Sequence, residues 1–303
     1  MNIFASQAGS PWALAIHGGA GGRVEELSVQ GDGEYEEGLA GAYRAGARVL
    51  DEGGTALDAV CAAVVLLEDN PLFNAGRGSA LRSDGSIETD AAVMSGAGLA
   101  GAVAAIGCAR NPVTVARRVM EDGTSVLRTS ISAETIRSWG LTVADQDYFR
   151  TPGRIAQLKN VQAGRIPAQT HGTVGAVAMD DAGRLAAATS TGGMVNQFTG
   201  RIGDSPILGA GTYARDGVVA VSCTGSGEAF IKGVVAHEIA ARVRHTGAAL
   251  ADAVRDVLDE EVGGRGVTGG VIAVGADGSV VVAHNSPAMF AAFGQNTGIT
   301  VWS

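Results

Sequence analysis

The amino-acid sequence predicts an α+β protein in which helices cover layered sheets. Segments typical of strands and of helices occur in both halves of the chain, but in blocks and not in strict alternation. This order favours layered sheets over one doubly wound parallel sheet. The 303 residues, of which 46% are hydrophobic, are enough to bury a substantial core. The 46 glycines lie among apolar and charged residues, so the composition is that of a globular protein.

The first half begins with a short apolar strand, WALAIHGG, which ends in a glycine turn. A helix is predicted from Glu34 to Glu52. Thr55 then begins a second helix, and Asp58 three residues later completes a capping box. This second helix is apolar on most sides, which predicts that it is buried.

An uncharged stretch at 91–109 is about as long as a membrane span. Glycines interrupt it, so two buried strands joined by a turn explain it better, and we expect a soluble protein. The two strands are SIETDAAVM and GAVAAIG. Helices are predicted next at NPVTVARRVMEDG, with Pro112 in the first turn, and from Ala133 to Trp139.

The segment from Arg150 to Gly172 differs in composition from the rest of the chain. It holds four cations, no acidic residue, two prolines and few large apolar residues. This is typical of a flexible linker, and an irregular segment of this length in a compact chain is usually functional or disordered.

The second half is predicted to contain two hairpins, two further strands and two helices. TVGAVAM and RLAAATS, joined by DDAG, form the first hairpin, and GGVIAVGADGSVVVAHN forms the second. GVVAVSC and AMFAAF are the other strands. The helices are predicted from Gly227 to His245 and from Ala248 to Glu261.

Charge and cysteine content narrow the functional classes. A net charge of −9 argues against nucleic acid or an anionic membrane as a main partner, because both reward basic patches. Cys61, Cys108 and Cys223 are far apart and form no CxxC motif, which indicates reduced thiols. The N-terminus lacks a basic region followed by an apolar core, so no signal peptide is predicted. We therefore expect a cytoplasmic protein.

Two short sequences suggest other functions, but weakly. GAGLAG, residues 96–101, matches the GxGxxG pattern of nucleotide-binding proteins, with Glu121 at about the expected distance. That interpretation needs a strand before Glu121, where the sequence predicts a helix. HEIAA, from His237, has Ala241 where a zinc-protease helix needs its second histidine. A nucleotide-binding protein remains the alternative from another class, and no metal is expected for the chemistry.

The strand that begins abruptly at Thr173 is the strongest candidate for a reactive site. A threonine at a strand start is usually structural, because β-branched residues favour strands. Here Gly172 precedes it, leaves its own carbonyl unobstructed, and ends the linker-like segment. If the 172–173 bond were cleaved, Thr173 would gain an α-amine with an unperturbed pKa of about 8. One residue would then supply both the nucleophile and its base.

Polar residues at other strand ends could complete a site for acyl transfer. Thr224 and Gly225, in CTGSGE, offer a hydroxyl and an N–H at a strand-to-helix turn, which suits an oxyanion hole. Arg201 and Asp204, in GRIGDSP, are either a surface ion pair or a clamp for a zwitterion. Spacing alone leaves both interpretations open.

The sequence resembles the plant-type L-asparaginase and isoaspartyl peptidase family of N-terminal-nucleophile hydrolases. The resemblance covers nearly the whole chain, and its motifs occur in the family's order: HGGAGG, NPLFNAGRGSAL, DAAVMSG, HGTVGAVAMD, ATSTGGMVNQ, GRIGDSPILGAGTYA, VSCTGSGEAF and GGVIAVGADG. It implies an αββα four-layer sandwich and a single-domain precursor of residues 1–303. This precursor cuts itself between Gly172 and Thr173 into chains 1–172 and 173–303, and the first chain ends in a flexible tail from residue 150.

The resemblance also implies roles for individual residues. Thr173 is the nucleophile in maturation and catalysis, with Thr191 and Asn74 beside it. Arg201 and Asp204 form the substrate clamp, and Thr224 with Gly225 the oxyanion hole. A structural sodium ion, and no cofactor for the chemistry, is implied in a loop whose main-chain carbonyls bind it, those of Leu67, Glu68, Asn70, Phe73, Ala75 and Arg77.

Within the family, the sequence favours hydrolysis of L-asparagine and of β-aspartyl dipeptides. Glycosylasparaginases resemble TSTNG where this chain has TSTGG at 189–193, and they are typically secreted or lysosomal. They remain the nearest alternative. Threonine aspartases, which cut protein substrates, usually carry longer insertions that are absent from this sequence. The resemblance further implies a dimer of processed units, (αβ)2. Whether His17, in HGGAGG, packs or supports the site stays open.

Overall fold

The computed structural model describes residues 1–6, 9, 11–21, 32–166, 172–294 and 300–302. Gly22 of the first motif and His171 of the cleavage motif lie outside the described residues, as does 167–171 of the predicted linker. Helices and strands are mixed along the described chain, which confirms the α+β prediction.

The strands form two sheets. They are, in chain order, β1 (Asn2–Ala5), β2 (Ala13–Ala20), β3 (Thr89–Ser95), β4 (Ala100–Ile106), β5 (Leu127–Thr129), β6 (Val174–Met179), β7 (Leu185–Thr191), β8 (Thr212–Arg215), β9 (Val219–Gly225), β10 (Gly269–Gly275), β11 (Val280–His284), β12 (Met289–Gly294) and β13 (Thr300–Trp302). One sheet has the order β1-β11-β10-β9-β8, and the other β13-β12-β2-β6-β7-β3-β4-β5. Neighbouring strands in the described chain are antiparallel except β4 and β5, which contradicts a doubly wound parallel sheet.

The helices are α1 (Asp32–Asp51), α2 (Ala56–Asp69), α3 (Pro112–Asp122), α4 (Ala133–Ser138), α5 (Gln146–Phe149), α6 (Pro152–Gln162), α7 (Gly227–Gly233), α8 (Val235–Thr246) and α9 (Leu250–Val257). The capping box predicted for α2 is confirmed. The Thr55 hydroxyl accepts a hydrogen bond from the Asp58 N–H at 3.1 Å and donates to the Asp58 carboxylate at 2.7 Å. This pair satisfies one of the free N–H groups at the start of α2.

The core consists of separate apolar clusters on the two faces of the sheets. Along β2, Leu14 and Ile16 pack in one cluster with α1 and α2, whereas Ala13 and Ala15 pack in another with residues of the second sheet. Successive side chains of a strand point to opposite faces, so β2 is covered on both. A third cluster joins the five-stranded sheet to α7, α8 and α9. Strand β6, which follows Thr173, is likewise buried along its whole length.

The expectation of an irregular segment from residue 150 is wrong for the part that forms α6. The Thr151 hydroxyl caps this helix by accepting from the Arg154 N–H at 3.3 Å, and Pro152 occupies the first turn. Arg154 is buried, and its guanidinium donates to the Gly78 carbonyl at 2.5 Å and to Gln157 Oε1 at 2.9 Å. Linker-like composition concealed the helix because its buried positions are polar as well as apolar.

The long helix predicted from Gly227 is interrupted at Val234. Val234 has φ +47°, a left-handed conformation that is uncommon for a β-branched residue, and it separates α7 from α8. The first N–H groups of α8 bind carbonyls of the loop before β8: Ala236 N donates to Ala210 O at 3.2 Å, and His237 N to Gly209 O at 2.8 Å. These tertiary hydrogen bonds determine where the helix breaks, and the local sequence does not predict them.

The structure also removes the weak alternatives. Residues 96–101 lie at the turn and the start of the second strand of the antiparallel β3–β4 hairpin, and not between a strand and a helix, so the nucleotide-binding interpretation loses its structural context. His237, the histidine of the HEIAA sequence, packs edge-on against Tyr213, with ring centroids 5.3 Å apart, and therefore has a packing role. In the described part of the chain, no helix has the length and apolar character needed to cross a membrane.

Candidate active site

Thr173 and Thr191 are neighbours because of the register between β6 and β7. The antiparallel pairing joins Val174 to Ser190, so the residues just beyond them lie side by side. The Thr173 hydroxyl donates to Thr191 Oγ1 at 3.2 Å, and both side chains are buried. Thr191 Oγ1 also accepts from the Gly193 N–H at 3.0 Å, which fixes its orientation.

The carbonyl of Gly172 receives two hydrogen bonds. Asn74 Nδ2 donates to it at 2.7 Å, and the Thr191 hydroxyl donates at 3.1 Å. Asn74 is itself held in place, since its Nδ2 also donates to the Gly193 carbonyl at 2.7 Å and its Oδ1 accepts from the Ala80 N–H at 2.7 Å. The intact 172–173 peptide bond is therefore polarised by two fixed donors.

Glycine is required at two positions around this peptide bond, residue 172 itself and residue 19, which packs against it. A Cβ at Gly172 would lie 2.9 Å from the Asn74 Cβ, and one at Gly19 would lie 3.0 Å from the Gly172 Cα and 3.3 Å from the Thr173 nitrogen. Gly19 also has φ +115°, which other residues rarely adopt. Gly172 thus permits the approach of Asn74 as well as leaving the carbonyl accessible.

Three of the four residues predicted for substrate binding, Arg201, Asp204 and Gly225, line a single cleft together with Thr173 and Thr191. Its walls are formed by Gly172, Thr173, Thr191, Gly193, Met194, Arg201, Gly203, Asp204 and Gly225. Thr224 is not among them. It is fully buried, and its Oγ1 accepts from the Ala20 N–H at 3.2 Å. Of the predicted oxyanion pair, only Gly225 lines the cleft in the uncleaved chain.

Arg201 and Asp204 do not form the surface ion pair that the sequence left open. Asp204 is buried, and its Oδ2 has no hydrogen-bond partner among the described residues. Burial raises the pKa of Asp204 to about 7, and the nearby Arg201 acts in the opposite direction. Arg201 is paired instead with Glu228, through Nε at 3.0 Å and Nη2 at 3.2 Å. Asp204 therefore lines the same cleft as the Arg201 guanidinium, and its buried Oδ2 is left without a hydrogen-bond partner among the described residues.

Asp90, which the sequence analysis did not single out, supports the loop that carries the clamp. Its Oδ1 accepts from the Ala105 N–H at 2.8 Å and its Oδ2 from the Gly203 N–H at 3.5 Å. Burial raises the pKa of Asp90 to about 6. The sequence feature that could have identified Asp90 is a single acidic residue at the start of the otherwise apolar DAAVM strand.

His17 takes part in a buried polar chain behind the strand of the nucleophile. Its Nε2 lies 2.9 Å from Ser222 Oγ, which in turn lies 2.8 Å from Thr189 Oγ1. A side chain at Gly175 would overlap Ser222, so that glycine lets the two sheets approach here. Burial lowers the pKa of His17 to about 3, so its imidazole is neutral near pH 7. His17 therefore links the two sheets and also lies against the Thr173 backbone, so it packs between the sheets and borders the site.

The loop between α2 and Gly78 has main-chain carbonyl oxygens of the kind that bind a sodium ion. Leu67, Asn70 and Ala75 each accept one backbone hydrogen bond at their carbonyl, at 3.3, 3.3 and 3.1 Å, which leaves a second lone pair on each oxygen. Gly76, with φ +49°, packs so closely on the Glu68 carbonyl that a side chain there would overlap it. The described residues contain no group of three or more His, Cys, Asp or Glu that could hold a metal. Hard cations bind oxygen ligands, and main-chain carbonyls are among them.

The fold and the residues gathered in the cleft agree with the match to known families. Residues 10–302 match the model described as asparaginase, and the chain belongs to that family. It is 45% identical to an isoaspartyl peptidase of Salmonella typhimurium strain LT2, over 93% of this chain and 94% of that protein. An isoaspartyl peptidase of Escherichia coli strain K12 is 43% identical over 93% and 92% of the two chains.

A plant protein is also similar. The probable isoaspartyl peptidase/L-asparaginase 2 of Arabidopsis thaliana is 35% identical, over 96% of this chain and 99% of that one. The resemblance inferred from the motifs is confirmed.

Proposed function

We propose that this protein is an isoaspartyl peptidase and L-asparaginase. It hydrolyses L-asparagine to L-aspartate and ammonia and cleaves β-aspartyl dipeptides. The observation that carries the proposal is the pairing of two features in one cleft: a threonine whose preceding carbonyl is held by two donors, and an unpartnered Asp204 oxygen beside Arg201. The names of the similar proteins point to the same activities.

Maturation begins with attack of Thr173 Oγ1 on the carbonyl carbon of Gly172. The hydroxyl proton of Thr173 is directed at Thr191, whose own proton is directed at the Gly172 oxygen. Asn74 Nδ2 and the Thr191 hydroxyl stabilise the oxyanion. The carbon–nitrogen bond breaks, the nitrogen takes up the proton that the Thr173 hydroxyl has lost, relayed through Thr191, and an ester joins Gly172 to Thr173. Water hydrolyses this ester, which leaves chains 1–172 and 173–303 of one domain.

Catalysis uses the α-amine that maturation releases. The amine accepts the Thr173 hydroxyl proton, and the oxygen attacks the β-carbonyl of the substrate. The Gly225 N–H stabilises the oxyanion, and the Thr224 hydroxyl, which lies behind the cleft wall in the uncleaved chain and still has a proton to donate, joins it once cleavage has released Gly172. Ammonia or an amino acid leaves with the proton, and water hydrolyses the β-aspartyl ester.

The clamp recognises the two α-groups of the aspartyl moiety. Arg201 binds the α-carboxylate, and the buried Asp204 oxygen accepts from the α-ammonium. A zwitterion pairs with both charges at once, which accounts for a buried carboxylate whose Oδ2 has no partner among the described residues.

Several finer features belong to the same proposal. The apolar clusters on both faces of the two sheets support an αββα sandwich. A sodium ion held by the main-chain carbonyls of the loop from Leu67 to Arg77 would fix that loop, and with it Asn74, electrostatically. We further propose that the processed protein assembles as (αβ)2 and acts in the cytoplasm.

The proposal is tested by the intact mass of the denatured protein before and after incubation at neutral pH, combined with an assay for ammonia release. Two species of residues 1–172 and 173–303, appearing together with asparaginase activity, are expected. A single unprocessed species without activity after prolonged incubation contradicts the proposal. Release of an amino acid from a β-aspartyl dipeptide tests the second activity.

Substrate binding is expected to strengthen as the pH rises through about 7. Burial raises the pKa of Asp204 to about 7, so below this pH the carboxyl is increasingly protonated and cannot pair with an ammonium. The inhibition constants of L-aspartate and of succinate, which lacks the amine, are measured from about pH 6 to about pH 8. The preference for L-aspartate is expected to grow with pH and then level off. In Asp204→Asn the preference is expected to be smaller and independent of pH, whereas a constant preference in the unaltered protein contradicts the assignment.

A further inference from the structure

Glu228 occupies one of the two bidentate faces of the Arg201 guanidinium. Its two carboxylate oxygens accept from Nε at 3.0 Å and from Nη2 at 3.2 Å. Gln197 Oε1 accepts from Nη1 at 3.1 Å. A guanidinium has five N–H donors, and the described residues engage three of them. Because Glu228 takes the side made by Nε and Nη2, it leaves the end-on face made by the two terminal nitrogens, where a carboxylate can bind with two parallel hydrogen bonds.

The position of Glu228 leaves this end-on face available on the cleft side. Arg201 lines the cleft with Thr173 and Asp204, whereas Glu228 lines a neighbouring surface pocket and not the cleft. Two glycines flank the guanidinium: a Cβ at Gly203 would lie 3.3 Å from Nη1, and one at Gly227 would lie 3.1 Å from Nη2. The absence of these side chains keeps the space beside the terminal nitrogens free.

We propose that Glu228 is a positioning residue for substrate specificity. By binding the side face of Arg201, it holds the end-on face toward the α-carboxylate of the substrate. An arginine free to rotate would lose side-chain entropy when it binds substrate. The inference rests on the proposed function, in which Arg201 binds that carboxylate.

Charge alone predicts the opposite effect of removing Glu228. Its carboxylate partly neutralises Arg201 and repels a second carboxylate, so loss of the charge would strengthen substrate binding if orientation did not matter. The ion pair is partly exposed, with 19% of the Arg201 and 56% of the Glu228 side chain accessible, so this repulsion is screened. Orientation is therefore expected to dominate, and the sign of the change distinguishes the two effects.

The test compares Glu228→Gln and Glu228→Ala with the unaltered protein, each after self-cleavage. The KM for L-asparagine is expected to rise about tenfold with kcat changed less than about twofold, because a charge-assisted contact made in both the ground and transition states is weakened. The dissociation constants of L-aspartate and β-alanine, which lacks the α-carboxylate, are measured by calorimetry. The preference for L-aspartate is expected to fall about tenfold while β-alanine binding is unchanged.

Glu260→Gln is the matched control, because Glu260 forms a similar exposed pair with Arg242 away from the cleft. It is expected to leave both constants unchanged. Equal or tighter binding of L-aspartate by Glu228→Gln overturns the inference, as does an equal loss of β-alanine binding, which would indicate general damage to the site. The rate of self-cleavage is expected to be normal in these variants, because Arg201 makes no hydrogen bond to Gly172 or Thr173 in the described chain. Failure of the proposed function would appear separately, as absence of cleavage and turnover in the unaltered protein.

Discussion

Thr173→Ala is expected to remain a single chain of 303 residues and to be inactive toward both L-asparagine and β-aspartyl dipeptides. The substitution removes the oxygen that attacks Gly172 and, later, the substrate. Removal of a nucleophile abolishes turnover by at least about 10³-fold. The measurements are the intact mass after incubation and the rate of ammonia release. Among the described residues the hydroxyl makes one hydrogen bond, to Thr191, so the variant is expected to fold.

Thr173→Ser is the matched control for this prediction. It keeps the hydroxyl and, after cleavage, the α-amine, so it is expected to self-cleave and to retain activity at a reduced rate. A Thr173→Ala protein that is processed at residue 172 would show that another group performs the cleavage, and the assignment of the nucleophile would be wrong.

Asn74→Ala is expected to slow self-cleavage by about 10²- to 10³-fold, the usual effect of losing one oxyanion donor. Asn74 makes one of the two hydrogen bonds to the Gly172 carbonyl. The variant also leaves the Gly193 carbonyl and the Ala80 N–H without their partner. The free energy of unfolding is therefore expected to fall by about 1–3 kcal/mol for each buried group left unsatisfied. Time courses of intact mass and denaturant unfolding measure the two effects.

Asn74→Asp keeps an acceptor for the Ala80 N–H but replaces the donor by an oxygen that faces the Gly172 and Gly193 carbonyls. Because the ionised carboxylate cannot donate and repels both carbonyls, cleavage is expected to be slowed at least as strongly as in Asn74→Ala, with a loss of stability as well. Asn70→Ala tests general damage to the loop, because the Asn70 side chain accepts from Leu72 N and is not bonded to the 172–173 peptide. Rapid cleavage by both Asn74 variants would contradict a role for this amide in maturation.

Most regular elements were predictable because their signals are local. The Thr55 capping box, Pro112 at the start of α3 and the glycine-containing turns fix element boundaries through nearby residues alone. Helix α6 was missed because composition outweighed the Thr-Pro start signal. The break at Val234 could not be predicted, since hydrogen bonds from α8 to the distant loop at 209–210 determine it.

For the candidate site, too, some features could be predicted from the sequence and others could not. Resemblance between motifs located Thr173, Asn74, Thr191, Arg201 and Asp204, and the structure places all five close to the 172–173 bond or in the adjoining cleft. The motif resemblance did not indicate that Glu228 pairs with Arg201, that Thr224 lies behind the cleft wall, or that Asp90 supports Gly203. These contacts depend on side-chain directions in segments far apart in the chain.

The sequence by itself determined the family, the order of the elements and the types of reactive group, because each is encoded in short motifs or in the periodicity of apolar residues. Only the tertiary structure decided which donors reach the Gly172 carbonyl, which face of Arg201 Glu228 occupies and which carboxylate oxygen has no partner among the described residues. The physical reason is distance. Hydrogen bonds and pKa shifts depend on separations of a few ångströms and on burial. Those quantities are set when the two sheets pack against each other and bring residues such as His17 and Ser222, 205 positions apart, into contact.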